Sequence, residues 1–174
     1  MEVVLAAPTG RAARRMTETT GEDAKTLHRL LALGKTEEDG ITINYEVPKI
    51  DKDVVIVDEV SMVDTVLLYF LTKALLDKTR LILIGDCDQL PSVGPGNVLK
   101  DLIDSDIVPT ARLTEIYRQA AESQIVSNAH KINSGNKELT LNQKEGDFFF
   151  LRETNIVEQI AELVDSRLPK MRKI

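Results

Sequence analysis

Four β-branched side chains in a row, Val54-Val55-Ile56-Val57, run straight into Asp58-Glu59 within the stretch "DVVIVDEVSMVD". This leaves the chain little choice of fold. β-Branched residues are stiff at χ1 and favour extended backbone. A strand that is apolar on both sides needs cover on both faces, the condition of an inner strand in a parallel sheet.

The rest of the chain alternates accordingly. "EVVLAAP" reads as a short strand stopped by Pro8-Thr9-Gly10, and "GRAARRMTETTG" as a helix closed by Gly21. "DAKTLHRLLALG" reads as a second short helix, with Gly34 as its stop. "GITINYEV" alternates in the strand manner, and with the acidic "TEEDG" before it predicts a surface hairpin or excursion around 35–50. "DTVLLYFLTKALLDK" is an apolar helix with Asp64 as N-cap, and "TRLILIGD" is a second buried strand that ends in an acid. "QLPSVGPGN" is a loop and "NVLKDLIDS" a helix, while "IVPTARLTEIYRQ" reads as a strand entering a loop. "SQIVSNAHKINSG" is a helix closed by Gly135, and the tail from Asp147 offers one more strand and one more amphipathic helix. Strand–helix alternation predicts an α/β fold, a mostly parallel sheet with helices on both faces. At 174 residues the length favours a single domain spanning 1–174.

Composition narrows the setting. The apolar runs are strand-sized, and the first residues lack a basic region followed by a long apolar segment, so neither a membrane span nor a secretory signal is read. One cysteine, Cys87, cannot form an intrachain disulfide, which fits a cytoplasmic protein. A net charge of −6 argues against a surface that is basic throughout, though not against a local basic groove.

The chemistry gathers at strand ends. At the end of a strand, successive side chains point to different sides, so Asp58 and Glu59 can take separate roles. One carboxylate can hold Mg²⁺ and the next can take a proton from water; a strand end whose acids merely face solvent is the bland alternative. Some 25 residues on, the second acidic strand end brings Asp86, Asp88 and Gln89. Gln89 both donates and accepts, so it can sense a phosphate and an attacking water, or simply satisfy loop backbone. Arg118 in "LTEIYRQ" can compensate charge at a phosphoryl-transfer site, or pair with Glu115 or Glu122. In "APTGRAARRM", Thr9, Gly10 and a helix N-terminus suit a phosphate, with Arg11, Arg14 and Arg15 adding charge. Thr26 and His28 are further candidate polar contacts, though a lone histidine beside leucines is commonly packing. "LALGKT" imitates the end of a phosphate loop, but the required earlier glycine is Arg29, so Gly34 reads as a helix stop and Lys35-Thr36 as surface. No G-x-x-x-x-G-K-[ST] loop occurs in these residues.

Taken in order, "LAAPTGRAARRM", "TLHRLL", "VVIVDEVSMVD", "LILIGDCDQLPSVGPGNVLKDLI" and "LTEIYRQ" resemble the superfamily 1 DNA helicases, most closely the RecD-like group that includes the alpha subunit of exodeoxyribonuclease V. The resemblance covers about residues 3–135. It implies a RecA-like, P-loop NTPase fold, incomplete because the phosphate-loop strand is missing, and a role as part of the first motor domain of an ATP-dependent 5′-to-3′ DNA helicase in recombination and repair. It implies Asp58 as the Mg²⁺ ligand, Glu59 as the activator of the hydrolytic water, and Gln89 and Arg118 as contacts to the nucleotide γ-phosphate. Pro8, Thr9, Gly10, Arg11, Thr26 and His28 would face single-stranded DNA. Members carry a strand and phosphate loop just upstream of the block that begins here at Glu2, and a second RecA-like domain downstream. The chain by itself is therefore expected not to hydrolyse ATP, and to leave a gap in its sheet between Leu81–Gly85 and Thr110–Leu113, filled by self-association or altered pairing. Implied partners are single-stranded DNA and other exodeoxyribonuclease V subunits. Two other readings compete: a non-catalytic nucleic-acid or partner-binding module on a degenerate ATPase scaffold, and a metal-dependent nuclease using Asp58, Glu59, Asp86 and Asp88.

Overall fold

The computed structural model describes residues 1–34, 47–113, 123–142, 146–150 and 155–167. The chain divides into two compact units, Met1–Arg112 and Leu113–Ile174.

The first unit is a four-stranded parallel sheet in the order β2-β1-β3-β4. Its elements are β1 (Val3–Ala7), α1 (Gly10–Thr20), β2 (Ala24–Thr26), α2 (Leu27–Leu30), β3 (Val54–Val57), a 3₁₀ turn (Val60–Met62), α3 (Thr65–Ala74), β4 (Arg80–Leu83) and α4 (Val98–Asp104). The run Val54–Val57 is an inner strand, paired on one side with β1 and on the other with β4, as its two-sided apolar character requires. Alternation sends Val4, Ala6, Val55, Val57, Leu81 and Leu83 into one core with Leu67, Phe70, Leu71 and Ala74 of α3 and with Leu27 and Leu31. α1 packs on β1 and β2, with Ala13 buried outside that cluster. At the β4 end this second face is open: Ile82 and Ile84 are 46% and 48% exposed.

Local signals fix the helix ends. Thr9 caps α1 by accepting from the Ala12 N–H, and Gly21 closes it in the left-handed region at φ 77. Asp64 caps α3, its carboxylate accepting from the Leu67 N–H at 2.7 Å. Lys52–Glu2 and Lys78–Asp51 pair at the amino ends of the strands, all four side chains exposed.

Two local expectations change. Residues 23–34 do not form one helix. Ala24–Thr26 extend instead as β2 along the free side of β1, and Thr26 caps the short α2 by accepting from the Arg29 N–H. Main-chain pairing with β1 outweighs the helix propensity of Ala24 and Lys25, which over three residues amounts to little. The strand read into 107–113 does not form either. Those residues are exposed, β4 is the outermost strand among the described residues, and a strand without a neighbour has no partner for its backbone. The expected hairpin falls on residues 35–46, outside the described residues, although Ile50 beyond it bridges to Leu75.

In the second unit, α5 (Gln124–Asn133) and α6 (Ile156–Glu162) are helical, the latter running into a π turn over Leu163–Arg167. The strand expected at 147–150 is not one: Phe150 exchanges its N–H and C=O with the side-chain amide of Asn142 instead of with another strand. Asn128, fully buried, holds Thr140 in the same two-bond way.

Candidate functional site

Parallel pairing decides which residues meet. Ala7 stands beside Thr26, Ala6 beside Val57, and Val57 beside Leu83, so all four strands finish at one edge of the sheet. The residues just past those ends are Pro8–Arg11, Thr26–His28, Asp58–Glu59 and Ile84–Gln89. The candidates picked out at four separate places in the sequence thus belong to one edge, the side on which open α/β sheets bind ligands. Arg118 lies outside the described residues, as do Lys35-Thr36.

At the acidic pair, one residue of the neighbouring strand anchors both sides. The Ile84 N–H donates to Val57 O at 2.8 Å, and Ile84 O accepts from the Val60 N–H at 3.0 Å. Asp58 and Glu59 are looped out between these two bonds. Asp58 keeps its place through its own N–H, donated to Ala6 O at 3.0 Å. Glu59 takes up the excess chain in the left-handed region, φ 55 and ψ 41, a conformation that costs a non-glycine residue about 1–3 kcal/mol. Its N–H donates to Asp58 Oδ1 at 2.9 Å, which leaves the other Asp58 oxygen without a bond among the described residues. Both carboxylates are half-buried. The turn thus gives the two acids different backbone conformations, Glu59 alone lying in the left-handed region.

Gln89 sits on an exposed loop. The Asp88 N–H donates to Asp86 Oδ1 at 2.9 Å and the Gln89 N–H to Asp86 O at 3.2 Å. The loop then returns to the segment that follows Glu59. Thr65 donates its N–H to Pro95 O at 2.9 Å, and Ser92 Oγ donates to Gly94 O and Gly96 O. A Cβ at Gly94 would overlap the Asp64 carboxylate, and one at Gly96, which has φ 95, would overlap Thr65 Oγ1. These glycines permit a close approach that the sequence alone presented only as a loop. A cleft of about 220 Å³ nearby is lined by Cys87, Asp88, Lys100, Ile103, Asp104 and Arg112. There the Asp104 carboxylate pairs with the Lys100 ammonium and holds it above its usual range.

On the basic side, α1 carries no acid in its first turn, and Arg11 and His28 are exposed. Thr9 and Thr26 use their hydroxyl oxygens as helix-cap acceptors. Each O–H remains a donor that an anion can accept.

The nuclease arrangement is not assembled. Among the described residues, the one group of three or more ligand side chains close enough to share an ion is Asp86, Cys87 and Asp88, all exposed; Asp58 and Glu59 do not join it.

Comparison with known proteins places this geometry. The chain is 42% identical over 153 residues to the ATP-dependent RecD2 DNA helicase of Deinococcus radiodurans, covering 84% of this chain and 21% of that protein. It is 30% identical over 188 residues to the RecBCD enzyme subunit RecD of Mycolicibacterium smegmatis, covering 98% of this chain and 34% of that one. The chain therefore spans between a fifth and about a third of the length of these relatives. Among solved structures, a Pif1 helicase studied for DNA unwinding at forked DNA superposes with a TM-score of 0.51 at 22% identity, over 76% of this chain and 38% of that one. That likeness concerns the fold, which is RecA-like. Residues 1–150 match the model of the AAA domain family, and the chain belongs to that family, on its RecD-like side.

Proposed function

We propose that this chain is part of the first RecA-like motor domain of an ATP-dependent 5′-to-3′ DNA helicase or translocase of the RecD type, acting in recombination and repair in the cytoplasm, and that residues 1–174 are one partial domain of it. The observation that carries this reading is the shared carboxyl edge: parallel register sets the acidic turn, the Gln89 loop and the Thr9–Arg11 helix start side by side.

The donor set fits a magnesium nucleotide. Mg²⁺ is held by one or two carboxylates with the remaining positions on water and phosphate, and Asp58 offers one oxygen not engaged within the turn. A metal there would neutralise charge on the nucleotide phosphates. Glu59, held on its left-handed turn, takes the proton of the attacking water. Gln89 donates to the γ-phosphate, and Arg118 adds positive charge there. Pro8, Thr9, Gly10, Arg11, Thr26 and His28 contact the phosphates of single-stranded DNA through N–H, O–H and guanidinium donors. Other subunits of an exodeoxyribonuclease V complex, and a second copy of the chain along the free edge of β4, are further partners under this reading.

Glu59→Gln decides between a motor and a binding module. In the helicase carrying these residues, loss of the base lowers ATP hydrolysis by about 10²–10⁴-fold while nucleotide binding persists. A degenerate scaffold loses nothing. The 174-residue chain alone, without a phosphate loop in its sequence, shows no ATPase above background; hydrolysis abolished by Glu59→Gln in that chain overturns this. Its binding to labelled oligothymidylate is weak, and it falls with salt and with Arg11→Ala.

A further inference from the structure

Within the turn that presents Glu59, the Glu59 N–H donates to Asp58 Oδ1, the Met62 N–H to Glu59 O and the Val63 N–H to Val60 O. Ser61, 6% exposed, has no hydrogen-bond partner for its Oγ among the described residues, and the Glu59 side chain makes no cap bond. The end of β4 fixes the turn to the sheet: Ile84 bonds it before and after, and the next residue is Gly85. A Cβ built on Gly85 would lie 3.1 Å from the Val60 nitrogen, 3.2 Å from the Ser61 nitrogen and 2.9 Å from Leu99 Cδ2. The contacts with Val60 and Ser61 are main chain and cannot rotate away. Gly85 is also joined directly to Asp86, whose carbonyl and carboxylate order the start of the Gln89 loop.

We infer that Gly85 is a positioning residue for Glu59. By having no side chain it lets the strand that leads into the Gln89 loop press against the turn that carries the water-activating acid, so the two groups keep one relative placement. The inference rests on the proposed hydrolytic role of Glu59, but its structural half stands apart from it. An added methyl pushes on Val60 and Ser61, one and two residues beyond Glu59.

The test uses two readouts. In the 174-residue chain, Gly85→Ala shifts the amide resonances of Glu59, Val60 and Ser61 and speeds hydrogen exchange of the Val60 N–H, while the amides of Val55 and Ile56 keep their positions and show that the sheet is folded. Unmoved Glu59–Ser61 amides overturn the inference. If Gly85→Ala disturbs the sheet itself, adding Leu99→Ala removes the side-chain overlap and leaves only the main-chain contacts. Return of the Glu59–Ser61 amides to their original positions in that double variant also overturns it. In the parent helicase, Gly85→Ala lowers kcat for ATP about ten- to a hundredfold with KM unchanged, the signature of a misplaced catalytic group. An unchanged kcat there, with Glu59→Gln inactive, overturns the positioning role and leaves the helicase reading intact. A parent in which Glu59→Gln has no effect overturns that reading, and Gly85 is then judged on the amide shifts alone.

Discussion

In the unit Met1–Arg112, Leu27, Leu31, Val55, Val57, Val60, Val63 and Leu71 are sealed from solvent; in Leu113–Ile174 the one described side chain buried to that degree is the polar Asn128. The two are held by different means. The first excludes water from a layer of aliphatic side chains between sheet and helix, and then uses that stiff scaffold to hold Glu59 in a conformation it would not adopt by itself. The second relies on side chains that imitate a strand or cap a helix: Asn128 on Thr140, Asn142 on Phe150, Asp147 on the start of α5. Its apolar side chains Ile156, Val157, Ile160 and Val164 stay exposed. A strained acid belongs where nonspecific but extensive burial over-determines the backbone. Directional clamps order a segment without such a reserve.

That contrast can be broken by mutation. Leu71→Ala removes a fully buried side chain from the aliphatic layer and is expected to cost about 2–5 kcal/mol in a urea titration of the chain; a cost under about 1 kcal/mol means the layer is not what holds the first unit. Asn128→Ala strands the Thr140 N–H and C=O and costs about 1–3 kcal/mol, seen as faster exchange of the Thr140 amide; protection unchanged at Thr140 removes the clamp from the account.

The Asp147 effect is smaller and depends on pH. The Ser123 hydroxyl, followed by the Gln124 and Ile125 N–H groups, holds the Asp147 carboxyl below its ordinary value of 3.8. A lowered folded-state value means the ionised cap stabilises fully above the ordinary value, and the contribution is lost as pH falls through the lowered one. Amide exchange in α5 should therefore quicken in that acid window, and Asp147→Asn should flatten the dependence. An acid transition that survives Asp147→Asn assigns it to another group. Smallest of all, Lys78→Ala should leave the denaturation midpoint of the first unit where it is, because the Lys78–Asp51 pair is exposed and water screens it. A clear loss there would mean surface charge contributes to a unit attributed here to burial.

Much of the first unit could be read locally. The run Val54–Val57 is the inner strand it had to be, Asp64 starts a helix and Gly21 stops one where their chemistry says, and the acidic pair sits at a strand end. The ordered blocks by themselves resemble those of the RecD-like helicases. Less was legible where a partner far along the chain decides. Ala24–Thr26 have the composition of a helix start, and only the open side of β1 makes them a strand. "IVPTARL" has the composition of a strand, and without a neighbour among the described residues it is none. The three phenylalanines after Asp147 likewise look extended, but Phe150 is claimed by one asparagine side chain.

The sequence by itself determined the inner strand, the identity of the acids and the helix ends at Gly21 and Asp64, because side-chain stiffness, apolar period and capping act over a few neighbouring residues. Only the tertiary structure decided that Ile84 brackets Asp58 and Glu59 between two hydrogen bonds, that Glu59 is left-handed, that Gly85 brings the end of β4 against that turn, and that Gly94 and Gly96 bring the loop after Gln89 against Asp64 and Thr65. Those facts depend on backbone groups 24 or more positions apart meeting at one sheet edge, and a parallel register sets that meeting only once every strand is in place.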